Sequence, residues 1–396
     1  MRSFLQAHAT HPDAHMAMAL AAAQIEAQRL SATMQPTLGW LYCTEAYVGQ
    51  AESLLADARQ RWPGVAWVGA SAVGICASGV EYFDEPALTL MLADLPVGQF
   101  RLFSGAQALG RWDAGLAQVH TDGSTPELQE LLTELAGQTR SGYLFGGIAS
   151  GRRQAVHLAD GVWTGGISGV AFSAELSGKQ SGMRIVSRVS QGCQPLGPER
   201  IITACDGHLV TRLDDLPALE CLLQDLALPV LTEPANLREA VPRLRRTLAG
   251  INPGLASGSK AQRGNYGAEV LVRHLVGVDP QRRGVAVAQR VEVGQGLSFC
   301  ERNPAAAKRD LLRICTELRS EAEDSAPEDG SPAIAGAIYI SCAGRGGPHF
   351  GAPSAEAQWV RHGLGDVPLV GMFAGGEIAH ASLHSYTGVL TVFMRN

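Results

Sequence analysis

The chain has 396 residues, of which 46% are hydrophobic and 18% charged, enough for two or three domains around a sizeable buried core. A formal charge of −6 argues against nucleic acid as the main partner, because a phosphate-reading surface needs an excess of cations. No run of 18 apolar residues occurs, and the patch at Met16–Ala23 has flanks too polar for a signal peptide, so the expectation is a soluble cytoplasmic protein without a membrane partner.

Met16, Leu20, Ala23, Ala27 and Leu30 recur at helical spacing behind Asp13, a residue type that caps helix starts. This predicts a leading helix within residues 1–35. Leu38–Cys43, Gln50–Arg61 and Val65–Gly69 read as strand, helix and strand, an order that favours parallel pairing. Glu81–Leu95 and Gln99–Phe103 read as further strands, Thr125–Gly137 as a helix, and Tyr143–Phe145 as a strand running into glycines. Gly161–Val189 alternates as antiparallel strands do, and Asp214–Pro217 opens a helix that reaches Leu226. Beyond residue 229 the character changes. Residues 231–247 are Arg-rich and amphipathic, 252–267 form a Gly/Ser/Asn loop, and strands are expected at Val270–Val276, Val285–Val293 and Gly296–Cys300. Asn303–Arg319 is an amphipathic helix. The acidic stretch Ser320–Pro332 has no large apolar anchor and reads as a mobile surface loop.

One stretch echoes another. Gly39–Cys43, a helix and Val68-Gly69 lead to Gly74-Ile75. Ala337–Cys342, a helix and Val370-Gly371 lead to Gly376-Glu377-Ile378. The shared order predicts a duplicated strand–loop–helix–strand unit. Glycines at the carboxyl ends of strands let backbone N–H groups converge on an anion, and ligands of open α/β sheets sit at such ends.

The segments Val68–Gly74, Phe145–Gly147, Ser341–Gly346 and Gly371–Ile378 resemble the FIST family (F-box and intracellular signal transduction proteins), over about residues 36–394. Leu213–Ala218 resembles the family's segment at the end of its first region. Ala70 departs from the cysteine often found in the first motif. The resemblance implies a sensory module that binds small ligands such as amino acids and acts through a signalling protein encoded elsewhere. The fold expected is α/β, with two related halves at 36–228 and 229–396, each a mixed sheet covered by helices, and a ligand cleft between them.

The candidate ligand-binding residues are Ser71, Gly74, Gly146, Gly147, Cys342, Arg345, Gly346, Gly376 and Glu377. Arg345 has the fork to clamp a carboxylate, or it braces a buried acid such as Glu377. A cation beside Cys342 would lower the thiol's pKa. The alternative is therefore a cysteine-dependent enzyme on a small amide or ester, with Cys342 as nucleophile and His349 or His380 as partner. Glu377-x-x-His380-x-x-x-His384 looks metal-like, but a strand and turn there would separate the histidines, so neither metal nor cofactor is expected. The eight cysteines are scattered without a C-x-x-C pair, as suits a reducing compartment.

Overall fold

The computed structural model describes residues 3–29, 34–176, 182–229, 234–253, 270–324 and 332–395. Its first 93 residues show the rule by which the rest is built. Strand β1 (Phe4–Thr10) precedes helix α1 (Ala14–Arg29), and Asp13 Oδ1 caps that helix by accepting the Met16 N–H at 2.9 Å. Strands β2 (Leu38–Thr44) and β3 (Ala66–Ala72) flank α2 (Ala51–Arg61) and pair in parallel. The hairpin β4 (Gly74–Ala77) and β5 (Val80–Phe83) then leaves this sheet, and β6 (Ala87–Ala93) returns antiparallel to β2. The leading segment is thus strand and helix rather than helix alone. Gln6 and His8 make β1 look like a solvated tail, yet Phe4, Leu5 and Ala7 beside them are buried.

The same order recurs in β7 (Phe100–Phe103), β8 (Ala114–Asp122), α3 (Leu128–Gly137), β9 (Thr139–Ala149), the hairpin β10 (His157–Ala159) and β11 (Val162–Trp163), and β12 (Ile167–Ser173). Strand β13 (Met183–Gln191) opens a third repeat, and a separate compact unit, residues 191–307, interrupts it.

That unit contains β14 (Cys193–Pro195), β15 (Arg200–Asp206), β16 (Leu209–Leu213), β17 (Leu216–Pro217), α4 (Ala218–Asp225), α5 (Pro234–Arg246), β18 (Thr247–Asn252), β19 (Leu271–Asp279), β20 (Gly284–Val287) and β21 (Gly296–Arg302). Strands β21, β15, β16, β20, β19 and β18 pair in that order, all antiparallel, and β18 pairs back to β21. The result is a closed barrel, which leaves its ring no free edge. Its core is Ile202, Val210, Ile251, Val285 and Phe299, with Leu219 and Leu222 of α4 packed against them.

The third repeat resumes with α6 (Pro304–Glu323), β22 (Ile334–Cys342), α7 (Gly347–Phe350), α8 (Ala355–Leu364), β23 (Leu369–Ala374), the hairpin β24 (Glu377–His380) and β25 (Ser382–His384), and β26 (Thr387–Arg395). Residues 1–190 and 308–396 form the larger compact unit. It holds three six-stranded sheets of one design: β1-β6-β2-β3-β10-β11, β7-β12-β8-β9-β24-β25 and β13-β26-β22-β23-β4-β5. Each repeat keeps four strands and hands its hairpin on. The first gives its hairpin to the third sheet, the second to the first, and the third to the second.

The expected duplication is present and is part of a triplication. Val68-Gly69-x-x-Ala72-x-Gly74 recurs as Phe145-Gly146-x-x-Ala149-x-Gly151 and as Val370-Gly371-x-x-Ala374-x-Gly376. A Cβ on Gly69, Gly146 or Gly371 would stand 1.8, 1.9 or 1.8 Å from the carbonyl oxygen of Leu41, Val119 or Tyr339 on the parallel neighbour. No side chain fits there, which is why glycine holds the position in all three.

The three sheets share one core. Trp40 and Tyr42 of the first, Leu116 and Phe145 of the second, and Ile338, Ile340 and Met372 of the third all belong to it. Their other faces pack beneath helices: α1 and α2 through Met18, Ile25, Leu54 and Leu55, α3 through Leu132 and Leu135, and α6 and α8 through Leu311, Ile314 and Val360.

Two expectations need correction. Residues 320–323 are not loop but the last turn of α6, because Glu321 is held by Arg184 at 2.5 Å and Arg188 at 2.7 Å. The stretch 325–331 of the expected acidic loop, and most of the expected loop 252–267, lie outside the described residues. The glycines at 146 and 147 do not make a turn either. They continue β9, since Glu377 and Ile378 of β24 pair with them.

Candidate functional site

The three parallel strand pairs end in equivalent places, at Thr44, Asp122 and Cys342, and what fills each end differs. Behind Asp122, the carboxylate accepts the Ser124 N–H at 2.8 Å, the Ser124 hydroxyl at 2.5 Å and the Gly165 N–H at 2.6 Å. Burial alone would raise this carboxyl, but those hydrogen bonds outweigh it and bring it below the usual range.

Behind Cys342, the turn that looks ready for an anion already holds two. Glu356 Oε2 accepts the Gly346 N–H at 2.8 Å, and Glu81 Oε2, from the hairpin of the first repeat, accepts the Gly347 N–H at 2.6 Å. Arg345 donates Nε to Glu356 Oε1 at 2.7 Å, with the side chains 1% and 0% exposed. Tyr339 Oη and Ser341 Oγ donate to the same carboxylate, and Ser190 Oγ accepts from Arg345 Nη1 at 3.1 Å. Arg345 therefore braces an acid, but the acid is Glu356 rather than Glu377, and its fork is committed within the protein.

Cys342 and Glu377 do come together. Glu377 Oε2 accepts the Thr387 N–H at 3.0 Å and its hydroxyl at 2.7 Å, while Oε1 meets no nitrogen or oxygen donor among the described residues. Burial pushes this carboxyl up to about 8. Burial also pushes the Cys342 thiol up to about 12, and the neighbouring Glu377 adds to the rise. The expected activation by Arg345 is the smallest of the influences on the thiol. Cys342 is thus a protonated, packed thiol at neutral pH, poorly suited to be a nucleophile.

Ser71, Gly74, Gly146, Gly147, Gly346 and Gly376 are buried as well. Ser71 is structural. Its carbonyl accepts the Ser150 N–H at 3.2 Å, and its hydroxyl accepts the Val156 N–H at 3.0 Å. It ties down both ends of the connection 150–156 between β9 and β10.

That connection breaks the symmetry. Val73 alone joins β3 to β4, and Gly375 and Gly376 join β23 to β24, whereas residues 150–156 join β9 to β10. The added residues turn sharply at Gly151, where a Cβ would lie 2.2 Å from the Gln154 carbonyl oxygen. They carry Arg152, Arg153 and Gln154 over the end of β2, opposite Glu45, Ala46, Val48 and Gly49. Between the two segments lies an open cleft of about 470 Å³. Arg152 donates its N–H to Glu45 Oε2 at 2.6 Å and its guanidinium to Glu45 Oε1 at 3.3 Å and to Asp84. Arg153 is exposed and makes no ion pair among the described residues.

A second buried feature carries no sequence signal. Trp40 Nε1 donates to Gln118 Oε1 at 2.7 Å, Gln118 Nε2 donates to Tyr42 Oη at 2.7 Å, and Tyr42 Oη lies 3.0 Å from His120 Nε2. The indole can only donate, so the chain of bonds runs one way and leaves His120 its proton on Nδ1, which has no hydrogen-bond partner among the described residues. Burial holds this imidazole down at about 3. Trp40 and Tyr42 occupy the repeat positions of Gln118 and His120, so the network keys the first sheet to the second. Ile338 and Ile340 stand there in the third. Among the described residues no three His, Cys, Asp or Glu side chains are placed to hold a metal.

The FIST N domain model matches residues 37–216 and the FIST C domain model residues 218–380. The chain belongs to the FIST family. FIST domains are associated with sensing in signal transduction. The chain is similar along its whole length to an uncharacterised protein of Mycobacterium tuberculosis H37Rv, 31% identical over 407 residues covering 97% of this chain and 98% of that one. It is equally similar, 31% over 412 residues and 97% of each chain, to an uncharacterised protein of Mycobacterium bovis. The family boundary at 216–218 falls inside the barrel, whose β15 and β16 come from the FIST N segment and β18 to β21 from the FIST C segment. No described helix is long and apolar enough to cross a membrane.

Proposed function

We propose that this FIST protein binds a small molecule, such as an amino acid, as a sensor, and passes the signal to a partner protein encoded elsewhere. The observation that carries this reading is the cleft at the carboxyl end of β2, built where one of three equivalent connections is lengthened. A scaffold that repeats itself has a packing reason for what is common to the repeats. The departure, on a loop at strand ends and within the size range of small-molecule sites, is where binding is sought. A cytoplasmic setting belongs to this reading and is supported by eight free cysteines. The cysteine-enzyme alternative is disfavoured by the raised pKa of the half-buried Cys342 thiol.

The test is thermal-shift screening of the full chain against amino acids and organic acids. A ligand that binds only the folded state stabilises it by about 2.7 kcal/mol at 100 times its Kd. A hit recovered unchanged after incubation supports a sensor, and a hit consumed by the protein returns the enzyme reading. Hits whose affinity ignores substitutions at both Glu45 and Arg153 would remove the cleft from the proposal.

A further inference from the structure

Resting on that reading, we propose that the cleft takes the anionic group of a small molecule, that Arg153 holds it, and that the anion competes with Asp84 for Arg152. The lining carries the Arg152 and Arg153 guanidiniums with Glu45, and both Glu45 and the adjoining Asp84 pair with Arg152, which leaves Arg153 as the lining cation with no ion pair among the described residues. Arg153 has no competing acid among the described residues, so its fork is available for a carboxylate or phosphate oxygen.

Arg152 is held, but weakly. Its side chain is 65% exposed, as is that of Asp84, and Glu45 is 27% exposed. Solvated pairs of this kind exchange at little cost, whereas the Arg345–Glu356 pair, sealed from water, does not. Arg152 is also where three parts of the fold meet. Glu45 follows β2 of the first sheet, Asp84 follows β5 in the third sheet, and Arg152 itself lies on the connection leaving β9 of the second. Asp84 has a left-handed backbone, φ 56°, in the bend between β5 and β6. An anion that draws Arg152 away unties this bend from the connection, and so converts occupancy of the cleft into a change at residues 84–86.

The probes are succinate, L-glutamate and inorganic phosphate as anions, with L-lysine amide as cation and glycerol as neutral control, titrated calorimetrically into the full chain at low salt. Binding of succinate or glutamate without phosphate marks a carboxylate site, and the reverse marks a phosphate site. Arg153→Ala should weaken the anion about tenfold, with part of the loss restored in Arg153→Lys. Asp84→Asn should tighten it about two- to fivefold by removing the competitor, and anion binding should speed hydrogen exchange at Ala87, whose N–H Thr44 Oγ1 holds at the end of this bend, in the unsubstituted chain. Unchanged affinity in Arg153→Ala overturns the anion site. Unchanged or weaker affinity in Asp84→Asn, or no change in exchange at Ala87, overturns the competition. If lysine amide or glycerol binds and its affinity responds to cleft substitutions while no anion does, the sensory reading stands and this inference falls. If no probe of any charge binds, both fall.

Discussion

The loops that follow β2 and β22 occupy the same place in two copies of one repeat, yet they solve opposite problems. After β22 the protein fills its own anion nest: Glu356 and Glu81 take the Gly346 and Gly347 N–H groups, and Arg345 is buried against Glu356. After β2 no sealed pair of this kind forms among the described residues. Arg152 and Arg153 stand over an open cleft, and the ion-pair hub there is in water. Glycine turns at strand ends are therefore not evidence of a ligand by themselves, because the same geometry serves to lock two helix starts onto a sheet. What separates the two ends is whether the counter-charge is sealed from water, as Glu356 is against Arg345, or left in it, as Glu45 and Asp84 are against Arg152.

The contrast is sharpest for stability. Removing one partner of a sealed pair leaves the other charge buried, so Arg345→Ala or Glu356→Gln should cost about 3–5 kcal/mol in denaturant unfolding. A loss below about 1 kcal/mol would mean that the loop after β22 opens to water as its counterpart does. The repeat itself is tested by Gly69→Ala, Gly146→Ala and Gly371→Ala. Each drives a Cβ into a backbone oxygen and should cost about 3 kcal/mol or more. A neutral result at one of the three would show that its sheet is not built like the others.

The pH dependence distinguishes the two buried polar clusters by sign. His120 has a folded pKa lowered to about 3 from 6.5, so the unfolded chain binds the extra proton and stability falls as pH drops below about 6.5. The loss grows to a few kcal/mol toward pH 3, and His120→Gln should flatten it. Glu377 has a folded pKa raised to about 8 from 4.5, so its contribution is intact below 4.5 and is lost as pH climbs toward 8. Glu377→Gln should relieve that alkaline loss and leave the acid limb alone. Unfolding midpoints measured from pH 4 to pH 9 check both. The smallest effect is expected at Arg152→Ala, which should leave the unfolding midpoint where it is. A clear drop would show that the hub after β2 is a brace like Arg345 after all.

Much of the local structure is legible in the sequence. Periodicity places α1, α2, α3 and α6, the apolar runs place β2 and β3, and Asp13 has the residue type and position of the cap it proves to be. The third copy of the Val/Phe-Gly-x-x-Ala-x-Gly pattern also stands in plain text at 145–151, although its Gly-Gly pair there reads as a turn until β24 is seen to pair with it. The cleft is less accessible. Arg152 and Arg153 look like any loop arginines until β9 and β10 are seen to join different sheets, with the connection between them passing over β2.

Composition and pattern by themselves determine the class of protein: an α/β chain with repeated strand–helix–strand units, carrying the FIST motifs. They are local properties, set by side-chain periodicity and by glycines that no other residue can replace. Only the tertiary structure decides which acid meets which arginine. Arg345 is 11 residues from Glu356 and 32 from Glu377, and spacing alone does not choose between them. The choice follows from the exchange of hairpins, which carries Glu377 into the second sheet and brings Glu81 from the first repeat to the starts of α7 and α8. Pairings between repeats depend on the long-range geometry of closure, and nothing in the spacing of residues along a single repeat encodes it.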